Sequence, residues 1–142
     1  MNKGVDCTGI TVVFFCHDGK RNYLFNKRGK NCRDENGKWD VGGGGLDFDD
    51  KVETTLKKEI KEEYSTDVLE YEFLGFRDVH RLQNGKRTHW IALDFKVLVK
   101  KDQVRNGEPH KFDKIGWFKL NKLPKPTHSQ LPKALKKYKD KL

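Results

Sequence analysis

No stretch of this chain approaches the ~18 consecutive apolar residues that a membrane-spanning helix needs, and the N-terminus lacks the apolar core of a secretory signal. Cysteine is scarce. Cys7, Cys16 and Cys32 are odd in number and fall at no metal-ligand spacing, which excludes a disulfide framework and a zinc knuckle. Reduced thiols in a cytoplasmic protein are the expectation, with Cys7 and Cys16 filling core space. There is no internal repeat, low-complexity run or Ser/Gly linker to divide the chain, so residues 1–142 read as a single domain. Acidic residues are the minority charge, 21 against 30 basic, and the net +9 favours polyanionic ligands, from nucleotides to RNA.

Against that background two features stand out. Gly42 to Gly45 form an uninterrupted glycine run. One helix length later comes Lys58-Glu59-Ile60-Lys61-Glu62-Glu63. At roughly 100° per residue, Glu59, Glu62 and Glu63 share one sector of a helix. Like charges at i,i+4 repel, and a hard divalent cation reverses that sign because it takes oxygen ligands. Val52, Leu56 and Ile60 repeat every four residues as the buried stripe of the same helix. The carboxylates border this stripe instead of opposing it, a costly position for unpaired charge. The cluster reads as a metal site. The glycines read as a turn, with the helix beginning near Asp49 or Asp50, whose charge suits its positive end.

From Gly44 to Thr66 the chain resembles the Nudix box: Gly, five residues, Glu, seven residues, Arg-Glu-aliphatic, one residue, Glu-Glu, one residue, Gly-aliphatic. Spacing is kept throughout. Asp50 stands in the first Glu position, Lys58 in the Arg position, and Ser65-Thr66 replace the closing pair. Lys58 keeps the charge but loses the planar fork of Arg. Ser65 loses the tolerance of positive φ that Gly gives after a helix. The resemblance implies an α+β fold, a Nudix-like mixed β-sheet sandwiched between helices. It implies metal-dependent cleavage of a nucleoside diphosphate linked to another group. Mg²⁺, with Mn²⁺ as a substitute, would be held by Glu59, Glu62, Glu63 and Gly43. Catalytic roles fall to the three glutamates and to Glu108. Substrate contacts are expected from Arg28, Trp39, Gly43, Gly44 and Asp113, with Trp39 or Trp117 stacking a base. The small single-domain form and the closing pattern of Glu108-Pro109, Gly116-Trp117-Phe118 and Leu123-Pro124 look most like the (d)NTP-cleaving members. ADP-ribose or nucleotide-sugar cleavage, or a weakly active nucleotide sensor, are the alternatives.

The rest of the chain supplies strands and a closing helix. Thr8 to Cys16, Asn22 to Arg28, Val68 to His80, Arg87 to Val99 and Lys114 to Lys119 are rich in β-branched and aromatic residues. Phe73, Phe76 and Val79 are expected in the core, and Asn84-Gly85 is a hairpin turn. His80 and His89 receive no chemistry. Leu131, Ala134, Leu135 and Tyr138 form the inner face of a lysine-rich amphipathic helix. Its outer lysines read as a solvated face, which makes nucleic acid a minor reading beside a nucleotide substrate. Monomer and homodimer both fit.

Overall fold

The computed structural model describes residues 1–142. Its elements run β1 (Gly9–His17), β2 (Tyr23–Arg28), β3 (Trp39–Asp40), β4 (Gly42–Gly45), α1 (Val52–Tyr64), β5 (Val68–Gln83), β6 (Lys86–Val99), β7 (Phe112–Phe118) and α2 (Leu131–Lys137). The strands form one mixed, curled sheet in the order β3-β2-β1-β6-β5, with β4 added to β1 and β7 to β2. Only β1 and β6 run parallel. No helix is long and apolar enough to cross a membrane.

Alternation along the strands sends side chains to two cores. Val12, Phe14 and Cys16 of β1 join Leu24, Phe95, Val97 and Val99 beneath Leu56, Ile60 and Tyr64 of α1. The α1 stripe thus extends one turn beyond the sequence reading, at the spacing that puts one apolar side on the sheet. Phe15, Tyr23 and Phe25 point the other way and meet Leu131, Ala134 and Tyr138 of α2. The two helices therefore cover opposite sheet faces. On the α2 side the Tyr138 hydroxyl donates to Asp94 Oδ2 at 2.6 Å, and Arg77 holds both Asp94 oxygens at 2.7 and 2.8 Å. A buried carboxylate is tolerated only with such partners.

Three expectations need correction. The glycine run is not a turn. Gly42 to Gly45 pair antiparallel with Phe14 to Thr11 as a strand, and none has positive φ. Helix α1 begins at Val52, just after Asp49 and Asp50, with Lys51 as an N-cap that makes no side-chain bond. Phe73 and Phe76 are 54% and 56% exposed because β5 is the outermost strand and a register shift between Phe73 and Gly75 turns Leu74 inward instead. Cys7 is exposed, whereas Cys16 and Cys32 are buried. Ser65 does take the left-handed conformation that Gly adopts easily, at φ 60, so the helix ends as the spacing requires with a strained residue in place.

Candidate active site

Helix α1 lies across the glycine strand, and that contact builds the acidic site. A side chain on Gly44 would stand 2.5 Å from Glu59 Oε2, and one on Gly42 would stand 2.6 Å from Glu63 Oε1 while overlapping the Phe14 ring. On Gly43 it would meet the Val12 carbonyl at 2.7 Å. The glycines are therefore required by space: they let the carboxylates lie against bare backbone. Glu63 is 1% exposed, Glu59 half-buried and Glu62 exposed. Gly107 passes under the end of the helix, its amide donating to the Glu63 carbonyl at 2.9 Å. That brings Glu108 beside the same acids.

Burial raises the Glu59 carboxyl, and the neighbouring Glu62 adds to it. Burial pushes Glu63 up to about 8, with Glu108 and Glu59 adding to the rise and Lys111 opposing it. The Lys111 ammonium stands 3.7 Å from Glu63 Oε2 and 3.9 Å from Glu108 Oε2. Glu63 Oε1 has no hydrogen-bond partner at all. A buried unpaired carboxylate oxygen, with a second acid seated on bare glycine, is the donor set that a hard divalent cation completes. The residues fit Mg²⁺ or Mn²⁺. Lys58 forms no ion pair with Glu62; it faces solvent.

On the far side of the glycine strand lies a cavity of about 380 Å³. Gly42 to Gly45 and Lys111 border it, and Val79, Thr88, Trp90, Ala92, Gln130 and Leu131 are among its walls. Its size suits a small-molecule ligand. Three of its basic groups are already engaged. Arg28 bonds the Asp34 carbonyl and Oδ1, both at 2.9 Å. Arg77 is held by Asp94, and Arg81 lies 2.5 Å from Asp34 and 2.6 Å from Glu35. Glu35 also accepts the Ser129 amide and hydroxyl, each at 2.8 Å, and lies 2.8 Å from His128 Nε2. This network clamps the loop of residues 29–38 to the start of α2.

Burial pushes the Glu35 carboxyl up, but Ser129, His128 and Lys38 outweigh it and hold it down at about 2. A carboxyl lowered on folding stabilises the native state above its unfolded pKa and loses that contribution as pH falls from about 4.5 towards 2. Glu35→Gln should therefore cost about 2 kcal/mol at pH 7. The deficit should shrink steadily in melts taken from pH 4.5 to 2.5. Equal losses at pH 7 and pH 2.5 would count against the carboxylate's role.

The expected residues divide by position. Glu59, Glu62, Glu63, Gly43, Gly44 and Glu108 lie together at the α1–β4 contact, and Arg28 lines the cavity. Trp39 does not. It is 6% exposed in the α2-side core, its ring edge-on to Phe118 at 5.2 Å, so a stacking role falls away. Trp117 packs against the α1-side core with Lys101 over its ring. Asp113 is exposed beside Gly29, outside the cavity lining. Sequence reading missed Lys111 and Trp90; a lysine three residues after Glu108 was the available signal for the first.

A family model described as the NUDIX domain matches residues 8–138. Among solved structures, the MutT NUDIX hydrolase from Burkholderia pseudomallei superposes with TM-score 0.81 at 26% identity, covering 93% of this chain and 98% of that one. The MutT protein of Methanosarcina mazei Go1 gives 0.68 at 23%, over 80% and 78%. The NUDIX domain of Shewanella oneidensis NrtR, complexed with ADP ribose, gives 0.72 at 15%, over 99% and 89%. At those last two identities the likeness speaks for the fold alone.

Proposed function

Because this chain belongs to the Nudix family, we propose that it is a Mg²⁺-dependent hydrolase that cleaves a phosphoanhydride bond of a nucleoside diphosphate linked to a second group, with a (d)NTP as substrate and a nucleoside monophosphate and pyrophosphate as products. The observation that carries the reading is Glu63: buried, with one oxygen unpartnered, on a helix whose Glu59 rests on the same glycine strand at the cavity edge.

Glu59, Glu62 and Glu63, with the Gly43 backbone, would hold the ion. When bound, a divalent ion neutralises phosphate charge and strengthens water as a nucleophile. Glu108, beside the same acids, would accept the proton of the attacking water as the phosphorus–bridging-oxygen bond breaks. Lys111 reaches both the acids and the cavity, so its ammonium can pair with a phosphate oxygen. Gly43 and Gly44 present bare backbone to the ligand, Arg28 borders it, and Trp90 supplies the aromatic wall that Trp39 does not.

The test is hydrolysis of a nucleotide panel with Mg²⁺, with Mn²⁺ and with chelator, products identified by mass. Divalent-dependent release of pyrophosphate from one or more (d)NTPs is expected. Preference for ADP-ribose would move the assignment to that substrate class. No cleavage of any member, with nucleotide still bound, would leave a binding module.

A further inference from the structure

The β5–β6 hairpin carries a second cluster that the hydrolytic site does not use. Asn84 and Gly85 both have positive φ, at 51° and 77°, as a two-residue hairpin turn requires. Four residues to either side, His80 pairs directly with His89. Asp78 lies two residues before His80 on β5 and so projects to the same sheet face. Val79, Arg81, Thr88 and Trp90 alternate to the opposite face and line the cavity already described. The sheet thus separates the cluster from the cavity; it shares the α1 face with the glutamates, but none of them lines the hollow beside it.

The three side chains converge. One ligand atom from each of Asp78, His80 and His89 lies within 4.8 Å of the others. The imidazoles stack at 4.1 Å between centroids with planes 17° apart. His89 Nε2 is 3.0 Å from Asp78 Oδ1, and its other nitrogen is 3.1 Å from the Thr8 hydroxyl. A ligating histidine ordinarily has its second nitrogen held by an oxygen in this way, which fixes ring orientation. Thr8 is itself positioned by the N-terminal segment, where the His89 amide donates to the Gly4 carbonyl at 2.8 Å. A hollow lined by Thr8, His80 and His89 gives solvent access from that side. Arg81, at its edge, is already neutralised by Asp34 and Glu35.

We propose that Asp78, His80 and His89 form a binding site for a borderline divalent transition metal, Zn²⁺ above all, with Thr8 orienting His89 and water completing the coordination. Two imidazoles and a carboxylate are a Zn²⁺ donor set, whereas Mg²⁺ prefers oxygen alone. Bonds of about 2.0–2.1 Å require small adjustments of the ligand atoms, open to the exposed Asp78 and His80 beside a half-buried His89. Occupancy would pin the hairpin to the N-terminal segment.

The test titrates Zn²⁺ into the full chain with saturating Mg²⁺ present, following the five histidine rings by nitrogen-correlated NMR. His80 and His89 should shift together and saturate at one equivalent, while His17, His110 and His128 hold still. Thr8→Val should weaken binding by about tenfold. His80→Ala/His89→Ala, with an unchanged circular dichroism spectrum, should remove it. Shifts spread over all five histidines, no response at 100 equivalents (~100-fold excess), or full affinity in the double variant would overturn the proposal; any of them would leave the hydrolase reading untouched.

Discussion

Glu63→Gln should lower kcat for nucleotide hydrolysis by about 10³-fold, measured under saturating substrate and Mg²⁺. The side chain keeps its shape, so the protein should still fold. What changes is the charge available to the ion at a site where little solvent competes. A second readout separates this from general damage. In the metal-free protein, burial holds the Glu63 carboxyl at about 8 against 4.5 in the ordinary state. The folded form therefore binds that proton more tightly than the unfolded chain. Stability contributed by the protonated acid is intact below pH 4.5 and declines as pH rises through about 8. The glutamine variant has nothing to titrate there. With chelator present, it should melt above the wild type at pH 9 and level with it near pH 4.5. Added Mg²⁺ should then raise the wild-type midpoint and leave the variant unmoved. A variant retaining wild-type kcat would remove Glu63 from the reaction.

Gly44→Ala should cost about 10²-fold in kcat with little change in melting temperature. Its new methyl would displace the far end of Glu59, a half-buried side chain able to swing away into solvent. Folding tolerates that movement, but the acid cluster does not, because misplacing one ligand by an ångström disrupts the set. Gly43→Ala is the informative contrast. There the obstacle is the Val12 carbonyl within the β1–β4 pairing, so stability should fall as well. Full activity in Gly44→Ala would mean that Glu59 stands idle.

Much of this was legible in the sequence for a definite reason. The four-residue repeat of Val52, Leu56 and Ile60 fixes which helix side meets the sheet, and the acids at Glu59 and Glu63 follow from that single rotation. Asn84-Gly85 announced its hairpin because so few residues accept its backbone angles. The glycine strand was misread because absence of a side chain marks a turn and a close approach equally, and only the partner element distinguishes them. Trp39 failed for a related reason: a large aromatic beside a site is indistinguishable, one-dimensionally, from a core residue one strand away. The Glu35–Arg81–Ser129 clamp was out of reach, since it joins three segments up to 94 residues apart. His80 and His89 become neighbours only once the turn register is known.

The pairing of Arg28 with Asp34, Arg77 with Asp94 and Arg81 with Glu35 bears on how the proposed polyphosphate substrate would be captured. With those guanidinium groups spoken for, the chamber's own pull on an anion comes down to Arg33 and to Lys111, which itself faces Glu63 and Glu108, despite the +9 carried by the whole molecule. On the proposed function, a nucleotide would therefore be drawn in chiefly as its complex with a divalent ion, the pair arriving together, and the bare tetra-anion would bind weakly.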